Sequence, residues 1–122
     1  MNLDEKAIQL ITKLIRETSA GLIKWKVELP PKTLTTATED DIHIYFEAEY
    51  KEKIIAIFER RSKYFMDEHI FAWTSEDVFA ILDHLGNILI EYSQHSPIIK
   101  ELFNTVRQQV ADLDSLLNDL LD

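Results

Sequence analysis

Acid–base or metal chemistry in this chain would have to come from four histidines and 22 Asp and Glu residues, because cysteine is absent. His43, His69, His84 and His95 stand far apart, with no i,i+4 pair and no H-E-x-x-H, the spacing that sets two imidazoles on one helix face around zinc. His69, beside Asp67 and Glu68, is the best metal-binding candidate of the four, yet an ordinary surface or half-buried role fits each of them better. The run Glu39-Asp40-Asp41 lacks the glycine and the distal glutamate of a calcium loop and reads as a solvated acidic loop. Glu47 and Glu49 would share one strand face, and Glu91 would meet a neighbour across a hairpin, but general acid–base work requires a pocket around such a pair. With only two glycines in the chain, a loop that cradles phosphate on backbone N–H groups is not expected. No G-x-S-x-G, Walker A or G-x-G-x-x-G pattern occurs. No catalytic, cofactor-binding or metal-ligating residue is assigned, no cofactor is expected, and catalysis is the lesser reading.

The net charge is −9. Residues 67–96 contain six acidic residues and neither Lys nor Arg. Proteins that bind nucleic acid displace counterions from phosphate with Lys and Arg, so this balance argues against that role. The basic cluster Arg60, Arg61 and Lys63 is short and is expected to lie in a solvated turn after a strand. Charged residues interrupt the apolar positions of "MNLDEKAIQLITKLIRETSAG", so neither a signal peptide nor a membrane span is expected. A soluble, cytoplasmic protein without a membrane partner is the default expectation.

One domain over residues 1–122 suits this length. Ala7, Ile8, Ile11, Leu14 and Ile15 follow helical spacing, Asn2 or Asp4 can cap that helix, and Gly21 suits its left-handed end. Ile23, Trp25, Val27 and Leu29 then alternate with Lys24, Lys26 and Glu28, which predicts a half-buried strand ended by Pro30-Pro31. Trp25 is expected to pack against a helix. "TLTTATEDD" fits a ragged strand or a loop. Ile42, Ile44, Phe46 and Ala48 alternate with His43, Tyr45, Glu47 and Glu49 in a second strand, and "YKEK" turns the chain into a third, "IIAIFE". "RSKYFMDEHIFAWTSED" has no clean period and fits a short strand, a helical turn or both. "DVFAILDHLGNILIEY" predicts a hairpin on "DHLGN". Ser96-Pro97 opens the last helix, which would be about 37 Å long if it ran unbroken to Leu121. The order predicts an α+β fold: an N-terminal helix, an antiparallel meander of five or six strands, and a long C-terminal helix packed on the sheet.

In that last helix Ile99, Leu102, Val106, Gln109, Leu113, Leu116 and Leu120 form a heptad-like seam interrupted by Gln109, and Leu117 and Leu121 widen it. Its first half is expected to lie on the sheet. Its second half carries more leucine than a small sheet covers, so Leu113, Leu116, Leu117, Leu120 and Leu121 form the candidate interaction surface, for a second copy or another protein.

The run Thr18-Ser-Ala-Gly21-Leu-Ile23-Lys-Trp25 resembles the T-x-x-G-x-I-x-W opening of a family of small uncharacterised bacterial α+β domains. Asp83, Gly86 and Asn87 match the hairpin of that family, and Leu102, Phe103 and Val106 match the start of its closing helix. The resemblance implies the fold and a bacterial origin, and it implies no activity. Size, acidity and element order also resemble the acidic chaperones of type III secretion. The functional expectation is a non-catalytic protein-binding or regulatory protein, antitoxin- or immunity-like or chaperone-like, acting as a homodimer or on a basic protein partner. The competing expectation is a small-ligand binder or enzyme with a pocket on the polar sheet face near Lys24, His43, Tyr45 and Glu47.

Overall fold

The computed structural model describes residues 3–35, 40–93 and 95–122. Helix α1 spans Glu5–Ser19, and the Asp4 carboxylate caps it by accepting the Ala7 N–H at 2.8 Å. Ala7, Ile11, Leu14 and Thr18 form its buried stripe; Ile8, expected within that stripe, is 43% exposed. The helix ends as the sequence predicts. Gly21 adopts φ +77°, Leu22 N–H donates to Glu17 O at 2.9 Å, and Gly21 N–H donates to Thr18 O at 3.1 Å. These two bonds form a Schellman cap, which satisfies carbonyls the helix would otherwise leave open.

Five antiparallel strands follow in the order β1-β2-β3-β4-β5: Lys26–Val27, Asp41–Tyr50, Lys53–Phe65, Phe71–Leu82 and Ile88–Tyr92. Between β1 and β2 lies one helical turn, α2, at Lys32–Thr35. The remainder of "TLTTATEDD", residues 36–39, lies outside the described residues and includes Glu39. Helices α3 and α4 close the described chain at Pro97–Ala111 and Leu113–Leu121. The fold is α+β, with helices packed on a meander.

The first predicted strand is shorter than its alternation suggests. Ile23 and Trp25 are buried, but Val27 and Leu29 are 64% and 89% exposed. β1 pairs with β2 only through Lys26 and Val27 at the sheet edge. Alternation gives the side a residue points to; whether that side is covered depends on how far the neighbouring layer extends. The segment "RSKYFMDEHIFAWTSED" holds strand, as one of its two readings allowed, and no helical turn. It completes the long β3–β4 hairpin, whose pairs run without interruption from Ile54↔Leu82 to Phe65↔Phe71.

Both faces of the sheet are apolar. On one, Phe46, Ile57, Phe79 and Tyr92 join Ile11 and Leu14 of α1 and Ile99, Leu102, Phe103 and Val106 of α3. On the other, Tyr45, Ala56, Phe58, Val78, Ala80 and Leu82 form a second core, with Leu34 of α2 packed against it. A β-bulge between Ile42 and Ile44 sends these two residues to different cores. The segment leading into α2 crosses toward the β4–β5 turn, where Thr33 Oγ1 donates to Gly86 O at 2.6 Å. Each fully buried large apolar side chain contributes about 1.5–3 kcal/mol, so the second core is a substantial part of the fold.

The β4–β5 turn fulfils the prediction made for "DHLGN". Gly86 sits at φ +85°, and the Asp83 carboxylate accepts from the N–H groups of Leu85 and Asn87 at 2.9 and 3.0 Å. At α3, Pro97 occupies the first turn, while the Ser96 hydroxyl makes no capping bond.

Candidate interaction surface

The C-terminal seam is divided in two. Asp112, at φ 47° and ψ 65°, breaks the helix between α3 and α4, and Asp is one of the few side chains that accept this left-handed geometry readily. Upstream of the break Ile99, Leu102, Phe103 and Val106 are buried. Downstream, Leu116, Leu117, Leu120 and Leu121 are 44%, 48%, 74% and 82% exposed. The side chain of Leu113 lies outside the described residues. A single unbroken helix to Leu121 is therefore corrected, and the leucine-rich half is a separate short helix with an open face. Asp112, Asp114, Asp119 and Asp122 border it, and no Lys or Arg follows Arg107.

Gln109, the interruption in the seam, clamps α3 to the end of α1. Its Oε1 accepts the Trp25 N–H at 2.8 Å, and its Nε2 donates to Ile23 O at 2.7 Å and Thr18 O at 3.2 Å. Trp25 Nε1 donates to Thr18 Oγ1 at 2.9 Å, which satisfies the hydroxyl of a buried threonine. An open groove of about 730 Å³ borders this clamp, and Lys24, Asp112 and Asp114 are among the residues that line it.

The basic cluster lies within β3, not in a turn. Arg60 sits between Glu76 and Glu91, with contacts of 2.7 and 3.3 Å, and Arg61 meets Glu59 at 3.0 Å. Burial of Arg60 works against its charge, but the two carboxylates outweigh it and raise its pKa. Lys63 lies 4.9 Å from the centre of the Phe71 ring and 5.5 Å from that of Trp73. Around it Tyr64, Phe65, Met66, Ile70, Phe71 and Trp73 are all at least 43% exposed. This second apolar surface went unread in the sequence. Its signal was "KYF" and "IFAW" on either side of the turn "MDEH", with aromatic residues on both strands.

Of the four residues proposed for a pocket on the polar face, Tyr45 and Glu47 meet, and Lys24 and His43 lie elsewhere. Tyr45 is buried in the second core, where its hydroxyl donates to Glu47 at 3.0 Å. Burial, reinforced by the Glu47 carboxylate, pushes the Tyr45 pKa far above its ordinary value. Lys24 faces the groove beside Gly21, and His43 is exposed at the bulge in β2. Glu91 meets Arg60 rather than a second acid. Among the described residues no group of three or more His, Asp or Glu could hold a metal ion, and His69 uses its backbone N–H to bond Asp67 at 3.2 Å. No helix of the described residues is long and apolar enough to cross a membrane. Comparison with family models, curated proteins and solved structures finds no match to this chain.

Proposed function

We propose that this chain is a non-catalytic protein-binding module, and that α4 presents its binding face to a basic protein. The observation that carries the reading is the exposure of Leu116, Leu117, Leu120 and Leu121 on a helix whose charged residues are all aspartates. Four leucines on an open helical face favour a partner that supplies apolar anchors in helix-on-helix or helix-in-groove fashion. The aspartates and the net charge of −9 favour Lys and Arg around those anchors, chiefly by raising the association rate and rejecting acidic competitors. The absence of cysteine fits a reducing compartment such as the cytoplasm. Cross-linking in the cells that make the protein, with the native chain and a Leu117→Asp, Leu120→Asp chain side by side, tests this reading. A basic partner held by the first and lost by the second supports it. An acidic partner, or one retained equally by both, would remove it.

A further inference from the structure

Helices α3 and α4 are separated by a single residue, Asp112, and nothing in the sequence obliges the break. Sharp breaks in helices fall almost always at proline, at glycine or where a group inserts into the backbone ladder. Neither proline nor glycine occurs after Pro97. Val106, Gln109, Leu113, Leu116 and Leu120 keep their alternating spacing of three and four across Asp112, so one continuous helix would preserve the seam.

Opposing terms meet at Asp112. Its φ of 47° lies in the left-handed region, its side chain makes no capping bond, and its N–H donates to Gln109 O at 3.1 Å. The first N–H groups of α4 and the last carbonyls of α3 are left to water, where a continuous helix would pair them. Against this, Asp114 stands in the first turn of α4, where the helix dipole favours a carboxylate. Asp112 and Asp114 also line the same groove as Lys24. No described leucine of α4 is buried, so core packing does not fix the bend.

We propose that Asp112 is a hinge: α4 moves between the bent form of this structure and one continuous helix from Pro97 to Leu121. Terms of similar size favour each form, which is the condition for two populated states. Moving the backbone of one residue from the left-handed to the right-handed region interconverts them. Ile99, Leu102, Phe103 and Val106 lie upstream and keep their places in the core. In the continuous form α4 reaches about 14 Å beyond the end of α3, and the side of it that lines the groove becomes accessible. The hinge thus sets the reach of the exposed leucines. That use of it rests on the binding role proposed for α4, and its existence does not.

Nitroxide labels on Glu101→Cys and Asp119→Cys test it in the full chain, which has no other thiol. Both positions are exposed. They are about five helical turns apart, so one continuous helix sets them about 27 Å apart on the same side, and the bend brings them nearer. Pulsed electron resonance should resolve both separations, the shorter one dominant when residue 112 is Asp. Asp112→Ala should raise the ratio of long to short roughly tenfold, and Asp112→Gly should lower it by a similar factor, because Ala favours the helix and Gly the left-handed region. Identical distributions in Asp112→Ala and Asp112→Gly, whether short or long, would overturn the hinge. Asp112 is exposed, so the near-ultraviolet circular dichroism of buried Trp25 should be the same in all three chains. A variant that loses this signal would make residue 112 part of the packing and overturn the hinge as well. The measurement needs no partner, so the hinge can fail while α4 still binds, and binding can fail while the hinge still moves.

Discussion

Gln109 holds Trp25 through the backbone rather than the ring: its Oε1 accepts the Trp25 N–H at 2.8 Å while its Nε2 bonds Ile23 O at 2.7 Å. A polar residue in an apolar seam thereby supplies three bonds to the junction between α1 and β1, counting the one to Thr18 O. Gln109→Leu completes the heptad pattern and leaves the Trp25 N–H and the Ile23 carbonyl without these bonds, while Thr18 O keeps the Gly21 N–H. It should lower stability by about 2–3 kcal/mol, measured by denaturant unfolding. A variant as stable as the native chain would show that water replaces the clamp without cost.

Trp25 is 6% exposed, and its ring belongs to the core shared with α1 and α3. Trp25→Ala should cost about 3–5 kcal/mol. Trp25→Phe keeps much of the packing and loses the bond to Thr18, so about 1 kcal/mol of the loss should be the hydrogen bond. Equal losses for the two variants would mean that packing contributes little there.

The β2–β3 turn places Lys51 at φ 48° and Glu52 at φ 66°. Each is a side-chain-bearing residue in the left-handed region, where Asn and Gly are the usual occupants of a two-residue hairpin. Lys51→Asn with Glu52→Gly should raise stability by about 1–2 kcal/mol. Thermal unfolding of the double variant measures this, and an unchanged midpoint would argue that the turn carries no strain.

The Asp83 carboxyl is held below the usual aspartate range, first by the bond from the Asn87 backbone and then by the other donors of the turn. Its stabilising effect is therefore complete above the ordinary aspartate pKa of about 3.9 and is lost as pH falls through the lower folded value. The stability difference between the native chain and Asp83→Asn should shrink across that acidic window. A difference that stays constant with falling pH would contradict the assignment.

Deleting residues 112–122 removes leucines that are at least 44% exposed where their side chains are described. The remaining fold should lose no more than about 1 kcal/mol, while capture of the partner is abolished. A truncated chain that unfolds would make α4 a structural element, and binding by the truncated chain would exclude it as the recognition face.

Sequence and structure agree where the chemistry is local. Gly21, the Asp83–Asn87 turn and the alternation around Phe46 depend on backbone angles and on bonds spanning a few residues, so they are legible in one dimension. The second core was legible in part. "IIAIF" and "VFAIL" are unbroken apolar runs, the pattern of strands covered on both faces, although Tyr45 was expected on a wet one. The α4 leucines were legible as a surplus, and the break at Asp112 that frees them was not.

By itself the sequence determined the first helix and its Gly21 cap, the alternation of β2 and the β4–β5 turn, because those choices rest on neighbours within a turn or a ladder step. Only the tertiary structure decided that Trp25 is covered while Val27, two residues on, is open. It also decided that Gln109 is a clamp, and that β3 and β4 outrun their neighbours to expose Phe71 and Trp73. Burial is set by what lies across from a residue, and that element comes from a distant part of the chain.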